Sequence, residues 1–152
     1  MTDPQLKIIN YSITRLLAMR EHSEYNLLKK LLDKGFDVGL CEQQIEQFKK
    51  KNIQSDSRFA DSLIRGRARK GQGEVRIRAE LNEHKISADT YLPIFAELEI
   101  DWFELAQRVL AKKYKTPALD DWKEKQKRQR FLQYRGFSME QIKFAMETFG
   151  QK

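Results

Sequence analysis

The chain repeats itself about every fifty residues, and that period limits what it can fold into more than any other feature. Leu31, Leu81 and Leu132 are each followed five positions later by Phe36, Ile86 and Phe137. A residue suited to cap a helix comes next each time: Asp37, Ser87 and Ser138. Counting on without gaps, Cys41, Tyr91 and Ile142 correspond, then Ile45, Phe95 and Met146, then Phe48, Leu98 and Phe149. Upstream, Ile9 pairs with Phe59, Ile13 with Leu63 and Ala18 with Ala68, and the third unit keeps the register through Leu110 and Tyr114. Amphipathic helices of similar length can align by chance, but so many matched positions per unit favour a true repeat. Modules of this kind contact mainly their neighbours, so three in tandem predict an elongated, curved body with a long concave surface. The repeats are expected at 1–52, 53–100 and 101–152.

Within each unit the apolar spacing is helical. Leu6, Ile9, Ile13 and Leu16 step by three or four, and Tyr25, Leu28, Leu31 and Leu32, like Phe103, Ala106, Val109 and Leu110, fall on one face of a helix. Seven glycines, three prolines and three valines among 152 residues are too few for many short strands and tight turns. The fold class is all-α: three tandem three-helix repeats. Start and stop signals predict helices near 5–20, 23–34, 38–51, 56–69, 74–84, 88–98, 102–114, 119–135 and 139–149. Ser23, Asp37, Ser55, Ser87, Asp101 and Ser138 are the expected caps, and Asp101 with Glu104 and Ser138 with Gln141 have capping-box spacing. Gly35 and Gly136 are expected to end helices. Pro93 should shorten or kink the sixth. Cys41, Trp122 and Phe131 are expected in the core.

Charge is the second constraint. Lys and Arg number 29 against 22 Asp and Glu, a formal excess of +7 with a pI near 9.5. The excess sits in two blocks. Arg65, Arg67, Arg69, Lys70, Arg76 and Arg78 fall in a stretch with one acid, Glu74, and the stretch from Lys112 to Arg135 carries Lys123, Lys127, Arg128, Arg130 and Arg135. Arginine offers paired planar donors to phosphate oxygens, and lysine a mobile point charge. On a helix Arg65 and Arg69 lie one turn apart, as do Lys123 and Lys127, so each pair can follow a nucleic-acid backbone. The break at Gly71-Gln72-Gly73 would expose N–H groups at the start of the next helix, a further place for an anion. A basic run can equally be only a solvated helix face.

Other function classes find little support. No apolar run approaches the roughly 18 residues that span a bilayer. The start lacks a basic segment followed by an apolar one, which predicts a cytoplasmic chain. One cysteine, Cys41, excludes an internal disulfide and a cysteine-cluster metal site. His22-Ser23 might suggest a base beside a nucleophile, but adjacent residues do not face each other on a helix, and Ser23 reads as a cap. Gly71-Gln72-Gly73 lacks the third glycine of a dinucleotide fingerprint. Asp120, Asp121 and Glu124 point apart on a helix and sit among lysines. No enzyme, metal or cofactor is expected.

The motif blocks resemble the RecX regulators of bacterial recombination. They are Arg20-Glu21-His22-Ser23-Glu24, Asp56-Ser57-Arg58-Phe59-Ala60, Arg69-Lys70-Gly71-Gln72-Gly73, Arg76-Ile77-Arg78-Ala79-Glu80-Leu81, Ile100-Asp101-Trp102, and Gln129 through Phe137. Gln72 and Glu74 replace an aromatic and a proline common in that family, and Asn52-Ile53-Gln54-Ser55 replaces a Gly-aromatic-Leu-Asp run. The resemblance implies a protein that binds the RecA–single-stranded-DNA filament and restrains its ATPase, strand exchange and extension, within DNA repair and the SOS response. On that reading Arg67, Arg69, Lys70, Arg76 and Arg78 match the family's basic block, and Arg130 and Arg135 its C-terminal block. Ser23, Phe59, Leu81, Trp102, Phe131 and Phe137 match as caps and core. The chain is expected to act as a monomer with no membrane partner. A basic single-stranded nucleic-acid binder without a RecA-specific role is the alternative, and a helical scaffold that binds neither is a third.

Overall fold

The computed structural model describes residues 3–118 and 120–149, and among them it contains α-helices and no strand. In chain order they are α1 (Pro4–Met19), α2 (Glu24–Asp33), α3 (Val38–Lys50), α4 (Asp56–Arg69), α5 (Glu74–Glu83), α6 (Ala88–Leu98), α7 (Trp102–Lys113), α8 (Trp122–Arg135) and α9 (Met139–Glu147). The architecture is all-α, in tandem three-helix modules. Each boundary has a local cause. Side-chain oxygens of Asp3, Ser23, Asp37, Asp101, Asp121 and Ser138 accept from backbone N–H groups of the helix each precedes. Ser138 and Gln141 form the full reciprocal box. Asp121 was not among the expected caps, and it starts α8 at Trp122 rather than at 119; Leu119 lies outside the described residues.

The fifty-residue period has a backbone explanation. After α2, α5 and α8 the chain turns through Gly35, Lys85 and Gly136, with φ of 88°, 58° and 100°. The next N–H then reaches back five residues: Phe36 to the Leu31 carbonyl, Ile86 to Leu81 and Phe137 to Leu132. The left-handed residue donates to the carbonyl of Leu32, Asn82 or Gln133. This is the Schellman ending, which brings the residue after the turn against the one that opened it. The repeated Leu and its aromatic or Ile partner are therefore the two sides of one helix stop. Leu31, Leu81 and Leu132 are all fully buried. Asn52, with φ 60°, ends α3 in the same way, its neighbour Ile53 donating to the Phe48 carbonyl. Asparagine tolerates that conformation better than most side chains, which explains how it can stand where the resembled family has glycine.

The chain divides into two compact units, Met1–Ser62 with Leu81–Ile94, and Leu63–Glu80 with Phe95–Lys152. In the first, Ile9, Ile13, Leu27, Leu31, Cys41 and Ile45 form a core on which Leu16, Leu17, Phe36 and Phe48 pack. Burial raises the Cys41 thiol pKa, as expected of a small apolar filler. In the second, Leu105, Ala106, Leu110, Leu132, Phe137, Ile142 and Ala145 form the core, with Trp102, Tyr114, Phe131 and Phe149 against it. Each fully buried Leu or Ile contributes about 1.5–3 kcal/mol.

A polar joint closes the first unit where two motif blocks meet. Asp56 Oδ1 accepts from the Glu24 N–H at 2.8 Å and from Gln54 Nε2 at 3.0 Å, and Gln54 also donates to the His22 carbonyl. Arg58 donates from Nε to Glu21 at 3.0 Å and from Nη2 to the carbonyls of Asn52 and Ile53. It thus fastens the left-handed turn at Asn52. Ser23 caps α2 as expected, accepting from the Asn26 N–H at 3.0 Å.

Two expectations need correction. Of the two effects expected of Pro93, to shorten or to kink the helix, the shortening is overturned, since α6 runs to Leu98 with the proline inside. Pro93 is exposed, so the carbonyl that loses its donor lies on the solvent side of the helix. Trp122 is 67% exposed rather than buried. The phase of α8 turns Arg128 and Leu132 inward, and Trp122, the first residue of the helix, falls outside that face.

Candidate polyanion-binding groove

The structure sorts the eleven basic residues singled out in the sequence by what each side chain touches. Three are engaged inside the fold. Arg67 grips Glu80 with two parallel bonds, Nε to Oε1 at 2.9 Å and Nη2 to Oε2 at 2.7 Å, linking α4 to α5. Its hydrogen bonds to Glu80 raise its pKa above the ordinary value. Arg78 pairs with Glu74 at 3.0 Å one turn away and lies over the Phe95 ring. Arg128 is 5% exposed, bonded to Glu124 at 3.0 Å, with its guanidinium 4.4 Å from the Tyr114 ring centroid and 5.3 Å from that of Phe149. A buried guanidinium needs such compensation, and here two aromatic faces and a carboxylate supply it.

Four others line one groove in the second unit. Arg69, Lys70 and Arg135 join Arg108, Lys112 and Lys113 around a cavity of about 510 Å³ whose floor is Leu105, Val109, Phe131 and Gly71. It shares Arg69, Leu105 and Arg108 with a neighbouring cavity of about 430 Å³ that adds Arg65, Ala68, Leu98 and Ile100. Seven basic side chains therefore converge from α4, α7, α8 and the turn after α4, and no carboxylate is among the described lining residues. Arg135 is held in place by donating to the Lys70 carbonyl at 3.1 Å while it lies over Phe131. Arg108 is 3.9 Å from Glu104, an exposed pair too loose to neutralise it. A groove lined by one sign of charge over an apolar floor focuses the protein's field and raises the local concentration of anions.

The remaining four lie outside the groove. Lys123, Lys127 and Arg130 form an exposed stripe at helical spacing on α8, continued by Tyr134, which is 77% exposed. Arg76 lies 5.2 Å over the Tyr134 ring and donates to its carbonyl at 3.3 Å.

The sequence missed Arg108 and did not select Lys112 or Lys113. The usable signal was that Arg108 and Lys112 stand one turn apart on α7, the spacing that marked Arg65 and Arg69. The expected anion site at Gly71-Gln72-Gly73 is overturned. The Gly73 N–H donates to the Arg135 carbonyl at 2.8 Å and the Val75 N–H to the Gly136 carbonyl at 3.0 Å. Gly73 is glycine because a Cβ there would collide with the Gly136 carbonyl. These N–H groups dock one turn on another and are spent. Among the described residues no group of three or more His, Cys, Asp or Glu is placed to hold a metal ion.

Fold and groove together define an all-α helical-repeat protein with a basic groove. Residues 55–91 match the description "RecX, second three-helix domain" and residues 99–146 match "RecX, third three-helix domain". The chain is 41% identical over 132 residues to the regulatory protein RecX of Vibrio parahaemolyticus, covering 87% of this chain and 85% of that one. It is 40% identical over 145 residues to the Vibrio vulnificus protein of the same name, covering 95% and 94%. The chain belongs to the RecX family of regulatory proteins. A crystal structure of regulatory protein RecX superposes with a TM-score of 0.79 at 19% identity, over 94% of this chain and 72% of that one. RecX from Lactobacillus salivarius gives 0.77 at 17% identity, over 93% and 94%, so the fold persists where the sequence has diverged.

Proposed function

We propose that the protein is a negative regulator of the RecA recombinase, binding the RecA–single-stranded-DNA filament and restraining its ATPase, strand exchange and extension. The observation that carries this reading is the groove of seven basic side chains with no carboxylate among its described lining residues, in a chain of the RecX family. Phosphate oxygens of the filament's DNA, or an acidic filament surface, occupy the groove. Arg65, Arg69, Lys70, Arg108, Lys112, Lys113 and Arg135 make the contact, and the exposed stripe of Lys123, Lys127, Arg130 and Arg76 extends it. Arg67, Arg78 and Arg128 support the fold from inside. No chemical step is needed, because a bound modulator shifts a filament equilibrium by its different affinity for the two filament states.

The test is RecA ATPase on single-stranded DNA with this protein at substoichiometric concentration. A lowered rate and shorter filaments are expected, and an unchanged rate and length would overturn the reading. The alternative, a plain single-strand binder, draws on the same groove but needs no RecA. It is recognised by full affinity for a bare oligonucleotide, falling with salt by roughly 0.7 per neutralised phosphate on a log–log scale, with no effect on the filament.

A further inference from the structure

The exposed face of α1 is chemically unlike the groove and lies in the other unit. Leu6, Ile9, Ile13 and Leu17 turn one side of this helix toward the core, yet the exposed side carries large apolar groups among its polar ones. Ile8 is 53% exposed, Tyr11 63% and Met19 76%, spaced at helical intervals. Together with Phe36 and Lys34 from the turn after α2, and with Arg15, they line a groove of about 490 Å³. Arg15 lies over the Tyr11 ring at 5.8 Å. Eleven residues of α1 separate Ile8 from Met19, so the groove runs about 16 Å, some three turns of a second helix.

Charge decides what fits. Both charged residues lining the groove, Arg15 and Lys34, are basic, and Lys7 is exposed one turn before Tyr11. Of the carboxylates near the groove along the chain, Asp3 and Asp37 are committed to capping the Gln5 and Leu40 N–H groups and Glu21 to Arg58, while Asp33 is exposed beside Lys34 but does not line the groove. A second copy of the chain would set Arg15 and Lys34 against their own counterparts. A nucleic-acid strand would find aliphatic Ile8 and Met19 where it needs donors or flat rings. We propose that this face docks an acidic amphipathic helix of a protein partner, whose apolar side chains at i, i+4 and i+7 seat on Ile8, Tyr11, Met19 and Phe36 while its carboxylates meet Arg15 and Lys34. This is the helix-in-groove mode of recognition. The assignment does not rest on the RecA reading, which concerns the other unit.

The probe is a fluorescently labelled peptide about four turns long, with leucine at the i, i+4, i+7 and i+11 positions and glutamate on the other face. Its anisotropy is titrated with the full-length protein, alongside a scrambled peptide of equal composition and a lysine counterpart. Saturable binding of the glutamate peptide is expected, with Tyr11→Ala and Met19→Glu each weakening it about tenfold or more. Arg15→Glu should weaken it and reduce its salt dependence. These residues are exposed, so far-ultraviolet circular dichroism should be unchanged. Oligonucleotide binding by the same variants should also be unchanged, which separates failure here from failure of the groove. Absence of saturable binding, equal binding of the scrambled or lysine peptide, or undiminished binding by the variants would each overturn the proposal.

Discussion

Arg128 and Arg130 stand two positions apart on α8 and do different work. Arg128 lies 5% exposed between Tyr114, Phe149 and Glu124, whereas Arg130 is on the solvent side. Arg128→Ala should therefore cost about 2–3 kcal/mol in urea unfolding, from the packing it removes and an abandoned Glu124, while Arg130→Ala should stay within about 0.5 kcal/mol. The left-handed turns make a second pair. Lys85 holds φ 58° at the position where the other two modules have glycine, so Lys85→Gly should raise stability by about 0.5–1 kcal/mol. Gly136→Ala should lower it by about 2 kcal/mol or more, since φ is 100° and the new Cβ would strike Arg76. His22 sets a pH dependence. Burial lowers its pKa below the ordinary 6.5, so the unfolded chain binds the proton more readily. Its neutral-form stability is fully present above 6.5 and is lost as pH falls from there through the lower folded value. His22→Gln should flatten that part of the slope when unfolding midpoints are compared at about pH 7.5 and about pH 5.5.

At the level of elements, the groove depends on which faces α4, α7 and α8 present to one another. Charge reversal at Arg69, Lys112 and Arg135 should weaken binding of a single-stranded oligonucleotide and reduce its salt slope by roughly 0.7 for each phosphate no longer neutralised. Arg67→Gln should leave that slope alone and lower stability instead, because its guanidinium is spent on Glu80. Helix boundaries were largely legible in the sequence. Ser23, Asp37, Asp101 and Ser138 cap where expected, and Gly35 and Gly136 turn where expected, since a cap and its N–H lie within three residues of each other. The start of α8 falls later than expected because Asp121, two residues beyond the anticipated start, supplies the cap. Trp122 defies expectation because its size argues for burial while the helix phase, set by Leu132, argues against it.

For the whole molecule, the excess of +7 is a balance that matters only where it is left uncompensated. On the proposed reading, the protein with Arg69, Lys112 and Arg135 all changed to Glu should keep its helical spectrum and fail to lower RecA ATPase at a concentration where the unchanged protein lowers it. Undiminished restraint would move the filament contact away from the groove. What the sequence by itself determined is the all-α class, the module period, the helix ends and the apolar faces, because these follow from spacings of three to six residues and from backbone bonds of the same reach. The tertiary structure alone decided which cations face outward together. Glu80 claims Arg67 from thirteen positions away, Arg135 reaches the Lys70 carbonyl across sixty-five, and Arg108 enters the groove from a position outside both basic blocks. The reach of a side chain is fixed by geometry in space, and linear order along the chain does not record which partner folding will bring beside it.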